Sequence, residues 1–296
     1  MKIQFIAHAG ISIREGDTHI LIDPWFTSST VKNPVLESLV GHSTIDFQVP
    51  QGYANVEEYM PVDAVFVSHF HTHHAPKKDI LDIFSKTTAS SPLFGYPTLK
   101  KDNQDILDSL FREKGLDVRA QGFVDGESCT IGSLTIRAYT HTVSGHLAWH
   151  VFSKQGSLLH IADPAGNRNR QMLTLDAVWE KFNNLNVDVL FVNASGNSLQ
   201  IKDAEGNRSI SELSCLSPGQ AALLAHRIQT KVVSLIGCYN KSVWNGLMEY
   251  VRPSAVVEEE FDWAMRFINP EVKFVAARPG HTYVTRTEML GDTHIG

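Results

Sequence analysis

The sequence is poor in the features that build disulfide-stabilised, membrane-spanning and nucleic-acid-binding proteins. Its 3 cysteines among 296 residues are too few and too widely spaced for a disulfide framework or a zinc knuckle. No apolar run approaches the roughly 18 residues of a membrane-spanning helix. The 26 Lys and Arg residues are outnumbered by 32 Asp and Glu residues, and the net charge is -6, so no basic surface for nucleic acid is expected.

The start of the chain shows no export signal. Met1–His8 is too short and too quickly polar for a secretory signal peptide. With so few cysteines, this predicts a cytoplasmic protein whose partner is a small-molecule substrate, with no nucleic acid and no membrane. The sequence leaves open whether the chain forms a homo-oligomer.

The chain contains no linker-like stretch rich in Pro, Gly or Ser, which predicts one domain over residues 1–296. Strand-like apolar runs follow one another early in the chain and alternate with helical patterns later. This mixture is typical of sheets covered by helices, in the α/β or α+β class. The apolar spacing predicts helices at Lys77–Ser85, Gln104–Glu113, Met172–Asn183, Pro218–Ile228, Ser242–Val251 and Ala255–Phe267.

Two pairs of segments resemble each other in the same order along the chain. His19–Pro24 and His160–Pro164 are both apolar runs that end in Asp-Pro, and Val62–Ser68 is similar to Val187–Asn193. Buried strands often look alike, which is one explanation. The other is an internal duplication, with halves of roughly 1–140 and 141–296 that both contribute loops to one central site.

Histidine is the one residue in clear excess, with 14 in the chain. Four of them, His69, His71, His73 and His74, follow the apolar run Ala64–Ser68 and precede a predicted helix. Residues two apart in an extended segment point the same way, so His69 and His71 can face one ion. Imidazole is a preferred ligand of zinc, iron and other transition metals, so the segment predicts a metal site.

This segment resembles the His-x-His-x-Asp-His motif of the metallo-β-lactamase superfamily. His8-Ala9-Gly10 and the run His19–Phe26 are similar to the branch that contains the L-ascorbate-6-phosphate lactonases. The resemblance implies an αββα four-layer sandwich, with two β-sheets packed face to face and helices outside. It also implies a centre with one or two divalent transition-metal ions, either zinc or iron.

The resemblance assigns ligands residue by residue. It implies that His69, His71 and His141 hold the first ion, that Asp163 bridges two ions, and that His74 belongs to the second. His146 competes with His141, because both lie in the same loop after a strand. His141 is favoured because it directly follows the strand, where ligands are positioned most rigidly.

Two positions depart from the family pattern. His73 stands where the family has an Asp, which makes the site richer in nitrogen and leaves His73 as a candidate ligand and catalytic residue. The family's last histidine, in Pro-x-His-Tyr, has no counterpart near Cys238. Cys238 or His281 is a candidate to complete the second position, and His8 is a further candidate that approaches the cavity as a ligand or by supporting one.

The resemblance favours an enzyme, a metal-dependent hydrolase. A metal-bound hydroxide would attack a small ester, lactone, amide or phosphoester, with His73 or Asp163 orienting the water. The alternative is a non-haem iron oxidoreductase that uses oxygen with one or two irons, because the usual Asp is replaced by His73. A third possibility is a member that binds metal without catalysis.

The pocket around the ions is predicted from the aromatic residues nearby. Trp25, Phe26 and Tyr239 are candidate walls of the pocket, although core packing is the stronger interpretation for Trp25 and Phe26. The long segment Thr27–Tyr59 has little periodicity and Asn193–Ser217 is polar, so both are predicted to be long loops that frame the substrate.

Overall fold

A computed structural model describes most of the chain, with gaps. It covers residues 1–32, 44–47, 49, 55–71, 74–98, 109, 111–142, 145–164, 180–194, 198–202, 208–213, 216–237, 244–245 and 254–285. The predictions for His73, Cys238 and Tyr239 therefore lie outside the described residues. Most of the predicted helices Gln104–Glu113 and Met172–Asn183 lie outside them too.

Strands dominate the described part of the chain. In chain order they are β1 (Lys2–Phe5), β2 (Ile11–Glu15), β3 (Thr18–Ile22), β4 (Ser29–Lys32), β5 (Thr44–Phe47), β6 (Ala64–Phe66), β7 (Leu93–Pro97), β8 (Arg119–Phe123), β9 (Ser128–Ile131), β10 (Leu134–Thr140), β11 (Leu147–Ser153), β12 (Gly156–Ile161), β13 (Val189–Asn193), β14 (Ser198–Lys202), β15 (Arg208–Leu213), β16 (Val232–Ile236), β17 (Trp244–Asn245), β18 (Lys273–Phe274) and β19 (Thr282–Val284). The helices are α1 (Lys77–Lys86), α2 (Pro218–Ile228) and α3 (Ser254–Ile268), with a 3-10 turn at Val56–Tyr59.

Fourteen of these strands form two seven-stranded mixed sheets. Their strand orders are β19-β1-β2-β3-β6-β7-β8 and β18-β16-β13-β12-β11-β10-β9. Each sheet changes from antiparallel to parallel pairing at its middle, where β3 pairs with β6 and β12 pairs with β13. The carboxyl ends of these four strands are where the two sheets contribute to a common site, as is usual for parallel strands.

The two sheets pack face to face, and helices cover their outer faces. One continuous apolar core contains residues of both sheets, with Phe66 of β6 and Trp149 of β11 in ring contact at 5.0 Å. A second apolar cluster joins β12, β13 and β16 to α2 and α3, and a third joins β3, β6 and β7 to α1. This arrangement confirms the predicted αββα sandwich.

Helix α2 shows how local sequence sets an element's ends. Ser217 accepts a hydrogen bond from the Gln220 N–H, the Gln220 side chain accepts from the Ser217 N–H, and Pro218 occupies the first turn. The helix ends at Gln229, whose φ of 59° is left-handed. The predicted bounds Pro218–Ile228 are confirmed.

Two predictions of local structure are wrong. Trp244–Asn245, inside the predicted helix Ser242–Val251, form strand β17, which pairs with β5. The two predicted long loops both contain paired strands, β4 with β5 in Thr27–Tyr59 and β14 with β15 in Asn193–Ser217. In both cases pairing with a distant or adjacent strand outweighs the weak local preference. Within the described residues no helix is long and apolar enough to cross a membrane.

Candidate metal centre

The histidine segment begins at the carboxyl end of β6 and turns back on itself. The His71 carbonyl accepts hydrogen bonds from the backbone N–H groups of His74 and Ala75, at 2.9 and 2.8 Å. This turn brings the His74 ring against the His69 ring, with centroids 4.1 Å apart. Three of the predicted histidines therefore lie together before α1 begins.

His69, His71 and Asp163 form the centre of the site. The distance from His69 Nε2 to His71 Nδ1 is 2.9 Å, and Asp163 Oδ2 lies 3.4 Å from His69 Nε2 and 3.9 Å from His71 Nδ1. One ligand atom from each residue falls within 4.8 Å of the other two. Two nitrogens and a carboxylate oxygen at these separations are the donors that zinc and iron bind.

Asp163 comes from the other sheet, two residues after the end of β12. Its φ of 47° is left-handed, a conformation that Asp tolerates better than most residues. Asn193, at the end of the neighbouring strand β13, donates from Nδ2 to Asp163 Oδ1 at 2.7 Å. That bond fixes one carboxylate oxygen, while Oδ2 is directed toward the imidazoles.

His141 and His146 lie where β10 leads into β11. The His141 N–H donates to the His146 carbonyl at 3.1 Å, so the two residues close one short loop. His141 is only 1% exposed, and neither of its ring nitrogens has a hydrogen-bond partner among the described residues. A buried imidazole without partners costs free energy unless something binds it, which fits a metal ligand.

The His146 ring lies flat against His69. Their centroids are 4.1 Å apart and the rings are inclined by 8°. Burial lowers the pKa of His146 to about 3, and a hydrogen bond to the backbone of Asp163 acts to raise it. His146 thus contacts both a predicted ligand ring and the turn that presents Asp163, which suits a supporting role better than it suits replacement of His141.

Asp23 orients two of the predicted ligands, a role that the sequence interpretation missed. Its Oδ2 accepts a hydrogen bond from His74 Nδ1 at 2.9 Å and another from Ser68 Oγ at 2.6 Å. Ser68 Oγ in turn lies 2.9 Å from His69 Nδ1. Because the Ser68 hydroxyl donates to Asp23, it accepts from His69, so both imidazoles keep Nε2 unprotonated.

His8 reaches the same cavity from the turn between β1 and β2. Its Nε2 lies 3.2 Å from His74 Nε2, and the two rings meet at 70°. The edge of the Trp25 ring lies behind it, with centroids 5.8 Å apart. Of the candidates to complete the second position, His8 is the one that the described structure places in contact with a predicted ligand.

Burial favours the neutral form of three imidazoles at the centre, those of His8, His69 and His141. It lowers the pKa of His8 to about 4, it lowers that of His69, and it lowers that of His141 well below the usual value. Burial acts to raise the pKa of Asp163, but the neighbouring His74 and His69 hold it well below its usual value. Neutral imidazoles beside an ionised carboxylate are the protonation states that bind a divalent cation.

The remaining predicted residues that the structure describes supply no ligand atom to the group of His69, His71 and Asp163. His281 is exposed, and its Nδ1 bonds to the Ala276 carbonyl at 3.1 Å, so the structure does not bring it to the centre. Trp25 is buried in the core and donates from its Nε1 to the Thr27 carbonyl. Phe26 packs on Tyr59, at 5.4 Å. Core packing, the stronger of the two interpretations for these aromatic residues, agrees with their burial.

Comparison with known proteins identifies the family. The sequence model of the Beta-lactamase superfamily domain matches residues 18–237, well over half of the chain. The protein belongs to this superfamily. The matched region includes the histidine segment, His141 and Asp163, and ends directly after β16. Membership confirms the predicted superfamily, whereas the nearer relationship to ascorbate-6-phosphate lactonases stays a prediction. A search of curated proteins found no match.

Several solved structures share the fold at low sequence identity. Igni18, a metallo hydrolase from Ignicoccus hospitalis, is 16% identical with a TM-score of 0.63, and the match covers 97% of this chain and 99% of that one. A possible metal-dependent hydrolase from Veillonella parvula is 12% identical with a TM-score of 0.65, over 96% and 99%. CmlA, a diiron β-hydroxylase from Streptomyces venezuelae, is 15% identical with a TM-score of 0.63, over 96% and 54%.

Proposed function

We propose that this protein is a metal-dependent hydrolase that acts on a small ester, lactone, amide or phosphoester. The observation that carries the proposal is the convergence of His69 Nε2, His71 Nδ1 and Asp163 Oδ2 within 4.8 Å of one another. Fully buried His141, with neither ring nitrogen partnered among the described residues, supplies a third imidazole. These residues would hold the first ion, and His74 with Asp163 would contribute to a second.

A bound divalent ion supplies two things to hydrolysis: it lowers the pKa of water toward neutrality, and it polarises a carbonyl or phosphoryl oxygen. The chain's own residues determine the rest. Asp163, whose Oδ1 is held by Asn193, would present Oδ2 to the ions and so help to position the attacking water beside them.

Asp23 and Ser68 act as positioning residues. Through their hydrogen bonds they fix the tautomers of His74 and His69, so that both Nε2 atoms are available as ligands. His146 holds the His69 ring from its other face. A network that fixes ring orientation before a ligand arrives reduces the reorganisation needed when the transition state forms.

An oxygen-dependent iron enzyme is the second candidate. The observation that favours it is the donor set, which contains several imidazoles and one carboxylate, with His73 in place of the family's Asp. CmlA shows that the fold can house a diiron β-hydroxylase. The fold alone therefore does not select the reaction.

The decisive experiment compares zinc-loaded and iron-loaded protein in two assays. We expect the zinc form to hydrolyse members of a panel of lactones, amides and phosphoesters, and we expect neither form to consume oxygen with those substrates. His71→Ala removes a ligand and should abolish hydrolysis, whereas His150→Ala, a buried histidine on β11, should not. Oxygen uptake by the iron form without any hydrolysis would overturn the proposal in favour of the iron enzyme.

A further inference from the structure

We propose that His8 is a metal ligand that completes a second metal position together with His74 and Asp163. The inference rests on the proposed function in one respect, namely that transition-metal ions bind at this centre. It adds a ligand from the N-terminal turn, a part of the chain that precedes the matched region 18–237.

Two distances, both measured from His74 Nε2, fit neighbouring ligands of one ion. His8 Nε2 lies 3.2 Å from His74 Nε2, and His74 Nε2 lies 3.6 Å from Asp163 Oδ2. Two ligand atoms on one tetrahedral zinc lie about 3.4 Å apart, because each bond to the metal is about 2.0–2.1 Å. Both separations are therefore close to what one ion requires of neighbouring ligands.

The hydrogen bonds of His74 direct a lone pair toward His8. Asp23 Oδ2 accepts from His74 Nδ1, so the proton of a neutral His74 is on Nδ1 and its Nε2 bears a lone pair. His8 presents the same atom, Nε2, to that lone pair. A cation beside these two nitrogens would accept that lone pair.

The turn that presents His8 is built at a cost in backbone free energy. His8 adopts a φ of 51°, a left-handed conformation that is uncommon for a residue other than glycine. The turn is closed by the Ile6 N–H, which donates to the Gly10 carbonyl at 2.8 Å. The Gly237 N–H donates to the His8 carbonyl, also at 2.8 Å. Strain held in place by surrounding contacts is found mostly at functional sites.

The neighbouring residue is anchored from the second sheet. Buried His160, on β12, bonds through Nε2 to the Ala9 carbonyl at 2.7 Å. The turn is therefore fixed to β12, the strand that leads into Asp163, and to Gly237 at the end of β16. Fixing one turn to two strands of the opposite sheet sets the distance between His8 and the other ligands, as a ligand position requires.

The test counts ions. Chelator-treated protein is titrated with Zn²⁺ by calorimetry, and each variant's bound ions are checked by elemental analysis. We expect two ions per chain for the wild type and one for His8→Gln. Glutamine keeps a donor near the position of Nε2 and can still bond to His74, but it is a poor zinc ligand. His150→Ala, a buried histidine outside the centre, is the matched control and should retain two ions.

Each outcome separates the inference from the proposed function. One ion in the wild type would overturn the role of His8 but leave a one-metal hydrolase intact, whereas no ion would overturn both. Two ions in His8→Gln would show that His8 only supports His74, and loss of both ions would also contradict the proposal. Should His8→Gln fail to fold, His8→Asn serves in its place, because asparagine tolerates a positive φ and is too short to reach the ion.

Discussion

The turns at Asp23 and Asp163 are alike in backbone and different in use. Each follows a strand at the middle of its sheet, each precedes a proline, and each has the same φ of 47°. In each, the residue at the end of the adjacent parallel strand donates a hydrogen bond to the carboxylate, Ser68 in one case and Asn193 in the other. The side chain of Asp23 is 0% exposed, while that of Asp163 is 16% exposed.

The register of the parallel strands explains why the Asp163 side chain is more exposed than that of Asp23. Phe66 and Phe191 occupy matching places in the similar segments Val62–Ser68 and Val187–Asn193, and they pair with Ile22 and His160 respectively. Asp23 follows Ile22 directly, whereas Asp163 lies three residues beyond His160. The second turn therefore extends two residues further past its sheet.

The electrostatic consequence of this difference is large. Burial raises the pKa of Asp23 well above its usual value, although hydrogen bonds from Ser68 act to lower it. For Asp163 the neighbouring imidazoles outweigh burial and hold the pKa well below its usual value. The same turn thus produces one fully buried Asp whose oxygens accept the hydrogen bonds that orient ligands, and one partly exposed Asp that can itself be a ligand. The predictions below separate these two roles.

The largest effect is expected at Asp163. Asp163→Ala removes the only carboxylate among the proposed ligands and should weaken zinc binding by at least about 100-fold, since even partners outside the ligand set are worth 10- to 100-fold. The rate of hydrolysis should fall together with the zinc affinity. Calorimetric titration with Zn²⁺ measures the change, with Asp17→Asn in an exposed turn as the control. Zinc affinity within a few-fold of wild type would contradict the role of Asp163.

Asp23→Ala should affect stability as well as zinc binding. It leaves the Ser68 N–H, the Ser68 hydroxyl and His74 Nδ1 without their acceptor, and each unsatisfied buried group costs about 1–3 kcal/mol. We expect the metal-free protein to lose about 3 kcal/mol or more in its free energy of unfolding, and zinc binding to weaken by about 10- to 100-fold.

Urea unfolding of chelator-treated protein measures the stability change. Asp163→Ala, measured alongside, should lose less stability than Asp23→Ala, because the Asp163 side chain is partly exposed. Equal losses of stability in metal-free Asp23→Ala and Asp163→Ala would contradict the proposed difference between the two turns.

Lowering the pH should reduce the free energy of unfolding through a buried histidine in each sheet. Burial lowers the pKa of His19, on β3, and of His160, on β12, to about 4 from a usual 6.5. Between pH 6.5 and 4 the unfolded chain binds protons that the folded chain does not, so stability is full above pH 6.5 and falls as the pH falls. Each histidine should contribute a slope of up to about 1.4 kcal/mol per pH unit.

Urea unfolding of the metal-free protein at several pH values tests this slope. His19→Gln and His160→Gln should each flatten it by a similar amount. A slope that survives both substitutions unchanged would show that other groups determine the acid sensitivity.

The smallest effect is expected at Ser68. Ser68→Ala removes the link between Asp23 and His69 Nδ1, and we expect about 10-fold weaker zinc binding and a loss of about 1 kcal/mol in stability. Ser85→Ala, whose hydroxyl bonds to the Asp82 carbonyl on exposed α1, is the matched control. Zinc binding equal to wild type would mean that Asp23 does not act on His69 through Ser68.

The sequence predicted which histidines lie together where its signal is local. His69, His71 and His74 lie within one short segment, whereas Asp163 was assigned from the family resemblance. The roles of Asp23 and Ser68 were missed because they depend on β3 and β6 being parallel neighbours, which no local pattern shows. The similarity between His19–Pro24 and His160–Pro164 also pointed to Asp23, because the first of these segments contains the Asp23 turn.

Other features depend on contacts that are distant in sequence. The residues around His8 and around His281 in the sequence do not show which of the two is a ligand. In the structure, the hydrogen bond from the Gly237 N–H to the His8 carbonyl and the contact of His8 with His74 distinguish them. The strand Trp244–Asn245 was mistaken for helix because its pairing partner, β5, lies some 200 residues away. Helices α1, α2 and α3 were predicted within two residues at either end, because their amphipathic spacing is local.

The most direct measurement is the number and identity of metal ions per chain. Protein should be purified without a chelator or affinity tag from medium that contains both zinc and iron, and analysed for its elements. The account predicts close to two zinc ions per chain in the wild type and a near-complete loss in Asp163→Ala. Metal at trace level in the wild type would contradict the assignment of His69, His71, His141 and Asp163 as a metal centre, and stoichiometric iron would contradict the hydrolase.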